Sequence, residues 1–334
     1  MSGLVKEKNF VINSPGGSNA DTNITRGGVN YQRFTTTGSM RTWKKPPGVT
    51  LVYMEAIGAG GGGGGGGGST QGGGGGGGGA FARQLFAAES LPDTMGVRVA
   101  APGAAGTNGS STTAGGTGDE SYVRGDIYGE TNKVFLYAYG GGGGGRATGD
   151  NGAGGGGGGT SQQGGTANVN SAAEGGNPAM GGVGYGSDNN TLGGKGAKGG
   201  PSDTATPGGC AEYGGGGGAG VHVNNMQGGG SSVYGAGAGG GGYTGGGGSG
   251  AAGIWCSYGA GEGATGPEDT ASLTNGVSRA YGCGDGGPGQ SSNAGSPSGG
   301  GAAGTPGGGG GGGSSYANGS ARAGGRGEVR IFSW

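Results

Sequence analysis

Between residues 31 and 139, apolar and polar positions alternate in short runs, the period expected of half-buried strands. Runs at 31–37, 49–57 (VTLVYMEAI), 80–87, 95–100, 120–126 and 133–139 each predict a strand. Lys44-Lys45-Pro46-Pro47-Gly48 and Leu91-Pro92-Asp93-Thr94 predict turns. Phe81 and Leu85 lie four apart, which suits a helical turn, but the surrounding strands favour a strand there too. The pattern then lapses for almost two hundred residues and returns in Glu328-Val329-Arg330-Ile331-Phe332-Ser333-Trp334. A strand in that position needs a partner far back in the chain. The intervening stretch is therefore expected to be an insertion held at both ends by one sheet.

Three units follow: a polar N-terminal arm or attachment segment over 1–30, a β-strand base over 31–139 plus 324–334, and a glycine-rich insertion with end loops over 140–323. The arm, which carries Ser-Pro-Gly-Gly at 14–17, could also be partly paired.

Composition explains the lapse. Of 334 residues 110 are Gly, close to the share in collagen, yet Gly comes in unbroken blocks such as 61–68 and only 12 residues are Pro. Collagen needs Gly at every third place and abundant Pro, so it is excluded. Apolar residues make up 29%, too few for two ordinary cores. The net charge of -1 leaves no electrostatic footprint for nucleic acid or an anionic membrane. No run of about 18 apolar residues predicts membrane insertion. No secretory signal opens the chain, which suits a protein made and assembled in the cytosol. Cys210, Cys256 and Cys283 form no C-x-x-C pair; small buried fillers are the plain reading and a Cys256–Cys283 bridge the alternative.

Fixing each backbone residue costs roughly 1–2 kcal/mol, and Gly loses the most freedom. Interspersed Tyr, Val, Ala and Trp argue that these blocks are ordered rather than flexible linkers. An ordered glycine block must satisfy every N–H and C=O without side chains. Polyproline-II-type helices of three residues per turn, bonded side by side, would do so. Pure blocks such as 72–79 suit interior helices, and mixed stretches such as 235–248 suit rim helices with one free face.

Catalytic signatures are weak. G-x-G-x-x-G windows are expected by chance at this glycine content, and no βαβ unit follows them. The stretch 193–198 lacks a P-loop ending. His222 is the only histidine, so a histidine triad or multi-histidine metal site is unavailable. The neighbouring acids Asp119-Glu120 and Glu268-Asp269 point to opposite faces if they lie in strands. Asp188-Asn189-Asn190 lacks EF-hand spacing. No enzyme activity, cofactor or metal is expected. The aromatic residues Tyr185, Tyr234, Tyr243, Trp255, Tyr258, Tyr281 and Tyr316 sit in or beside glycine segments. Packing over the rim is their plain role; an exposed platform for sugars or a protein loop is the functional one.

The run FTTTGSMRTWKKPPGVTLVYMEAIGAGGGGGGG, with its TW-x-x-P-x-G-V turn, resembles the glycine-rich domain of phage tail proteins. GGGGAFARQLFAAESLPDTMGVRVAAPGAAG is similar to its next hairpin, KVFLYAYGGGGGG to its following strand, and GRGEVRIFSW to its closing strand. The long insertion is similar in kind to the polyglycine-helix sandwiches of T-even phage tail-fibre adhesins. The fold expected is mainly β: a β-sandwich-like base closed by the last strand, an inserted bundle of polyglycine II helices, and no significant α-helix. The resemblance implies a virion tail-tip or tail-fibre component, a homotrimer joined to other tail proteins. It would bind a host cell-surface glycan or outer-membrane protein through loops between glycine helices. Tyr185, Asp188, Asn189, His222, Trp255 and Tyr258 are the receptor-binding candidates. A structural element without receptor contact, such as a head fibre, capsid decoration or tail-tip plug, is the alternative. An ice-binding bundle would need a repeated Thr face, and Thr35–Thr37 stands isolated; a matrix or silk-like protein would need a signal peptide.

Overall fold

The computed structural model describes residues 20–67, 71–109, 111–127, 129–148, 151–169, 171–176, 208–212, 214–222, 225–226, 228–243, 246–247, 275–289, 301–313 and 320–334. The strands are β1 (Thr22–Arg26), β2 (Val29–Phe34), β3 (Arg41–Lys44), β4 (Leu51–Ile57), β5 (Phe81–Ala87), β6 (Thr94–Arg98), β7 (Ser121–Ile127) and β8 (Glu130–Ala138). Four two-residue strands follow: β9 (Val221–His222), β10 (Asn225–Met226), β11 (Gly242–Tyr243) and β12 (Gly246–Gly247); the last is β13 (Glu328–Ser333). Among the described residues the one helical element is a 3-10 turn at Ala88–Ser90.

Two antiparallel sheets make the base. One has the order β1-β2-β13-β4-β5 and the other β3-β6-β7-β8. β13 lies at the centre of the first, registered from Glu328 opposite Ile57 to Ser333 opposite Val52, and on its other side against β2. This is the long-range closure that the terminal pattern predicted. Alternation then decides what each face carries. Phe34, Val52, Met54, Ala56, Val329 and Ile331 turn inward and meet Trp43, Met95, Val97, Val123 and Leu136 from the other sheet. Trp43, Phe34, Met54 and Ile331 are fully buried.

Two strands of the base were not anticipated. β1 falls inside the stretch read as an arm; it pairs with β2 through the tight loop Gly27-Gly28, whose φ values of +57° and +81° suit a type I′ hairpin. β3 directly precedes the predicted Lys-Pro turn and places Trp43 in the core. β2 also ends sooner than the 31–37 pattern suggests. Asp21 accepts hydrogen bonds from the Thr35 and Thr36 amides, the Thr36 hydroxyl and Arg41, which draws that segment out of the sheet. Burial raises the Asp21 pKa, but the bonds from Thr36 and Thr35 outweigh it and hold the carboxyl well below the carboxylate range.

Next to the sandwich the glycine segments bond to one another with a period of three. Along residues 58–67, Gly61 and Gly64 donate to Gly77 and Gly74, Gly62 and Gly65 to Gly116 and Thr113, and Gly60 and Gly63 to Gly325 and Arg322. The carbonyls of the same stretch accept in turn from Gly103 and Gly106, from Gly141 and Gly144, and from Gly310 and Gly313. Three segments are thus donated to and three accepted from. Residues 72–80 are enclosed in the same way: they donate to segments at 139–145, 216–219 and 307–313, and accept from 58–64, 152–158 and 236–242. A three-residue repeat of bonding directions gives each segment neighbours on all sides only if no Cβ intervenes. A Cβ on Gly61 would lie 2.1 Å from Gly142 O, and one on Gly77 would lie 2.1 Å from Gly156 O.

At the surface the period shows in the sequence. Over 101–109, Gly103 and Gly106 are buried and donate to Gly60 and Gly63, while Pro102, Ala104, Ala105 and Thr107 are exposed. Of the mixed stretch 235–248, expected at the rim, residues 235–242 are buried. Its Ala236 methyl enters an apolar cluster with Ile57, Phe81 and Cys283, so the side chain serves a core contact and not a free face. Among the described residues no disulfide forms. Cys283 is buried with its Sγ 3.2 Å from Tyr234 O, whereas Cys210 is exposed and is no filler.

Candidate functional site

The outer face of the five-stranded sheet carries two rows of side chains fixed by register. Tyr31, Phe332, Tyr53 and Leu85 stand side by side across β2, β13, β4 and β5. The Tyr31 and Phe332 ring centroids lie 4.7 Å apart, and Tyr53 and Phe332 6.0 Å apart. The row two residues away is ionic: Arg33, Arg330, Glu55 and Arg83 on the same four strands.

Beside that row Glu328 is fully buried and gripped by three arginines. Arg33 Nε and Arg330 Nε each lie 2.7 Å from Glu328 Oε1, and Arg326 reaches Oε2 at 3.1 Å. Burial raises the Glu328 pKa, but hydrogen bonding and charge from Arg33 and Arg330 outweigh it and bring the carboxyl below its usual range. Arg330, itself 2% exposed, also reaches Glu55 at 3.3 Å and donates to Gly282 O at 3.0 Å. That last bond ties the sheet to a loop of the glycine region.

The loop and its neighbour build walls. Tyr281 and Tyr234 stand over the sheet, with Arg330 Cζ 6.0 Å from the Tyr281 ring centroid and Arg83 Cζ 5.2 Å from that of Tyr234. Arg279 holds the buried Asp285 through two bonds of 2.8 and 3.0 Å and donates to Cys283 O, which fixes the turn presenting Tyr281. Tyr53, Glu55, Arg330 and Phe332 of the sheet, with Phe81, Trp334 and the two wall tyrosines, line a cleft of about 550 Å³. Burial pushes the Tyr31 hydroxyl up to about 12, and burial followed by the Glu55 charge raises that of Tyr53, so both stay neutral at ordinary pH.

Of the receptor-binding candidates, Tyr185, Asp188, Asn189, Trp255 and Tyr258 lie outside the described residues. His222 is placed by its backbone alone, in β9 opposite Asn225. Tyr234 and Tyr281, noted in the sequence as possible platform aromatics, are brought together over one sheet face. Tyr53, Arg83, Arg330, Phe332 and Trp334 were not anticipated as site residues. For Arg330 and Phe332 the signal was the outward half of the alternation in the last strand, where Glu328, Arg330 and Phe332 interleave with the inward Val329 and Ile331. Among the described residues no group of three or more His, Cys, Asp or Glu side chains could hold a metal ion, and no helix is long and apolar enough to cross a membrane.

The chain belongs to the glycine-rich domain family, whose model matches residues 35–267. The match takes in strands β3 to β8 of the sandwich and most of the glycine region, and it stops short of β13. No curated protein matches the chain.

Proposed function

We propose that this chain is a non-enzymatic structural protein of a phage particle, a tail-tip or tail-fibre component acting as several identical copies with other tail proteins. In this reading the glycine segments are polyglycine II helices that form a stiff bundle seated on the sandwich, and the loops between them meet the host surface. The observation that carries it is the three-residue bonding period, in which two segments each bond to six others. Such a lattice commits its backbone polar groups internally, so recognition falls to side chains in the connecting loops. The four loops are 183–192, 221–227, 254–258 and 277–283. The last presents Tyr281, and the others carry the Tyr, Trp, His, Asn and Asp that suit a sugar or protein surface.

The test is to replace all four loops with Gly/Ser in assembled particles and to measure adsorption to host cells. Adsorption should fall at least tenfold while the particle remains intact. Normal adsorption would leave a purely structural element and remove the adhesin reading; absence of the chain from purified particles would remove the virion reading itself.

A further inference from the structure

We propose that the cleft on the outer face of the five-stranded sheet is a saccharide-binding site, which shares only the 277–283 loop with the surface invoked above. Its floor is the side-by-side placement of an aromatic row and an ionic row on the central strands β13 and β4. Its walls are Tyr234 and Tyr281, and its rim includes Trp334. Tyr281 is 56% exposed and Trp334 39%, so two large rings are offered to solvent at the entrance. The volume, about 550 Å³, lies within the range of small-ligand pockets, about 300–1,000 Å³.

The chemistry of the two rows selects the ligand. A wholly apolar ligand would stack on the rings but strip water from Glu55 and the exposed Arg83 without replacing it, which is unfavourable. A nucleic-acid backbone needs cations to neutralise its phosphates. Here Arg330 is already bound by Glu328 and Glu55, and the Glu55 carboxylate faces the same cleft. A peptide added as an extra strand needs a sheet edge, and β13 and β4 have hydrogen-bonded neighbours on both sides. A sugar ring meets both demands. Its C–H face packs on an aromatic ring, and its hydroxyls donate to the carboxylate and accept from guanidinium and phenol groups. The site is also preformed: Arg330 locks to Gly282 O, and Arg279 with Asp285 fixes the turn that carries Tyr281. Little order has to be gained on binding, which favours affinity from so few contacts.

The test uses the purified full chain on an array of immobilised oligosaccharides of glucose, galactose, mannose, N-acetylglucosamine and uronic acids. At least one class should be retained. Tyr281→Ala and Trp334→Ala should each weaken binding at least tenfold, Tyr281→Phe, which keeps the ring but loses the phenol, should weaken it less than Tyr281→Ala, and Tyr137→Ala, on the opposite sheet, should bind as wild type. Both exposed-ring variants should melt with the wild type; a variant that melts lower is judged by its Phe counterpart. Retention of no saccharide overturns the proposal, as does equal binding by both alanine variants. Self-association or peptide capture that is lost in Tyr281→Ala, with saccharides ignored, overturns it in favour of another occupant. Trp334 lies outside all four exchanged loops, so its effect separates this site from the adsorption reading.

Discussion

Gly76→Ala should prevent the chain from folding, or lower its stability by about 4 kcal/mol or more, the extreme of what single substitutions cost. The added Cβ would sit 2.2 Å from Gly61 O and 2.7 Å from Gly62 O. Neither the residue nor the obstacle can step aside. Gly76 N donates to Gly310 O, Gly61 O accepts from Gly310 N, and Gly239 N donates to Gly76 O, each at 2.9 Å. Relieving the clash therefore breaks several buried bonds at once, and each orphaned buried group costs about 1–3 kcal/mol. The usual advantage of Ala over Gly in the unfolded chain, about 0.4–1 kcal/mol, is far smaller. Ala105→Val is the matched control. Ala105 is exposed on a segment whose buried positions are Gly103 and Gly106, so its larger side chain should change stability by no more than about 0.5 kcal/mol. Thermal unfolding followed by circular dichroism separates the two. Melting temperatures within a degree or two of each other would mean that the bonding lattice does not hold the chain together.

That comparison also marks where the sequence is readable. The sandwich is legible because side chains specify it: alternation in 49–57 and 328–334 sets both the faces and the long-range partner. β1 escaped because TNITR is short and polar; its pairing rests on the Gly27-Gly28 hairpin, while Asp21 pins the chain just before it. β3 escaped because its Trp43 sits in a motif dominated by the turn that follows. Within the glycine region a repeat of three can be anticipated from backbone chemistry, but not which segment touches which. Successive glycines are identical and carry nothing that fixes register. Only the exceptions inform, as where Ala236 reaches Ile57 and Phe81 or where Gly103 and Gly106 keep a period of three amid Pro and Ala. The cleft was the least legible part. Tyr53, Tyr234, Tyr281 and Phe332 are separated by up to 279 residues, the span from 53 to 332, and only the sheet register together with the Arg330 bond to Gly282 O brings them to one place.

Glu328→Gln is expected to be the most damaging change in the sandwich that alters no volume. The carboxylate is fully buried and serves Arg33, Arg326 and Arg330, of which Arg330 is itself buried. Removing the anion leaves Arg330 with Glu55 as its remaining carboxylate partner, at the longer distance of 3.3 Å. Breaking a buried ion pair from one side costs about 3–5 kcal/mol, because the remaining charge is desolvated without compensation. Replacing both members should cost less than the single change: Glu328→Leu with Arg330→Met removes the stranded charge, and the two effects are then not additive. The same group makes stability depend on acid. The folded-state pKa of Glu328 lies below its ordinary value of 4.5, so its contribution is complete above that value and is lost as pH falls through the folded value. Asp21, also held low, acts in the same direction and stays in both proteins. Urea midpoints measured from neutral pH down into the acid range should therefore fall more steeply for the wild type than for Glu328→Gln. Identical acid slopes, or a double variant no more stable than the single one, would show that the three arginines do not depend on this carboxylate.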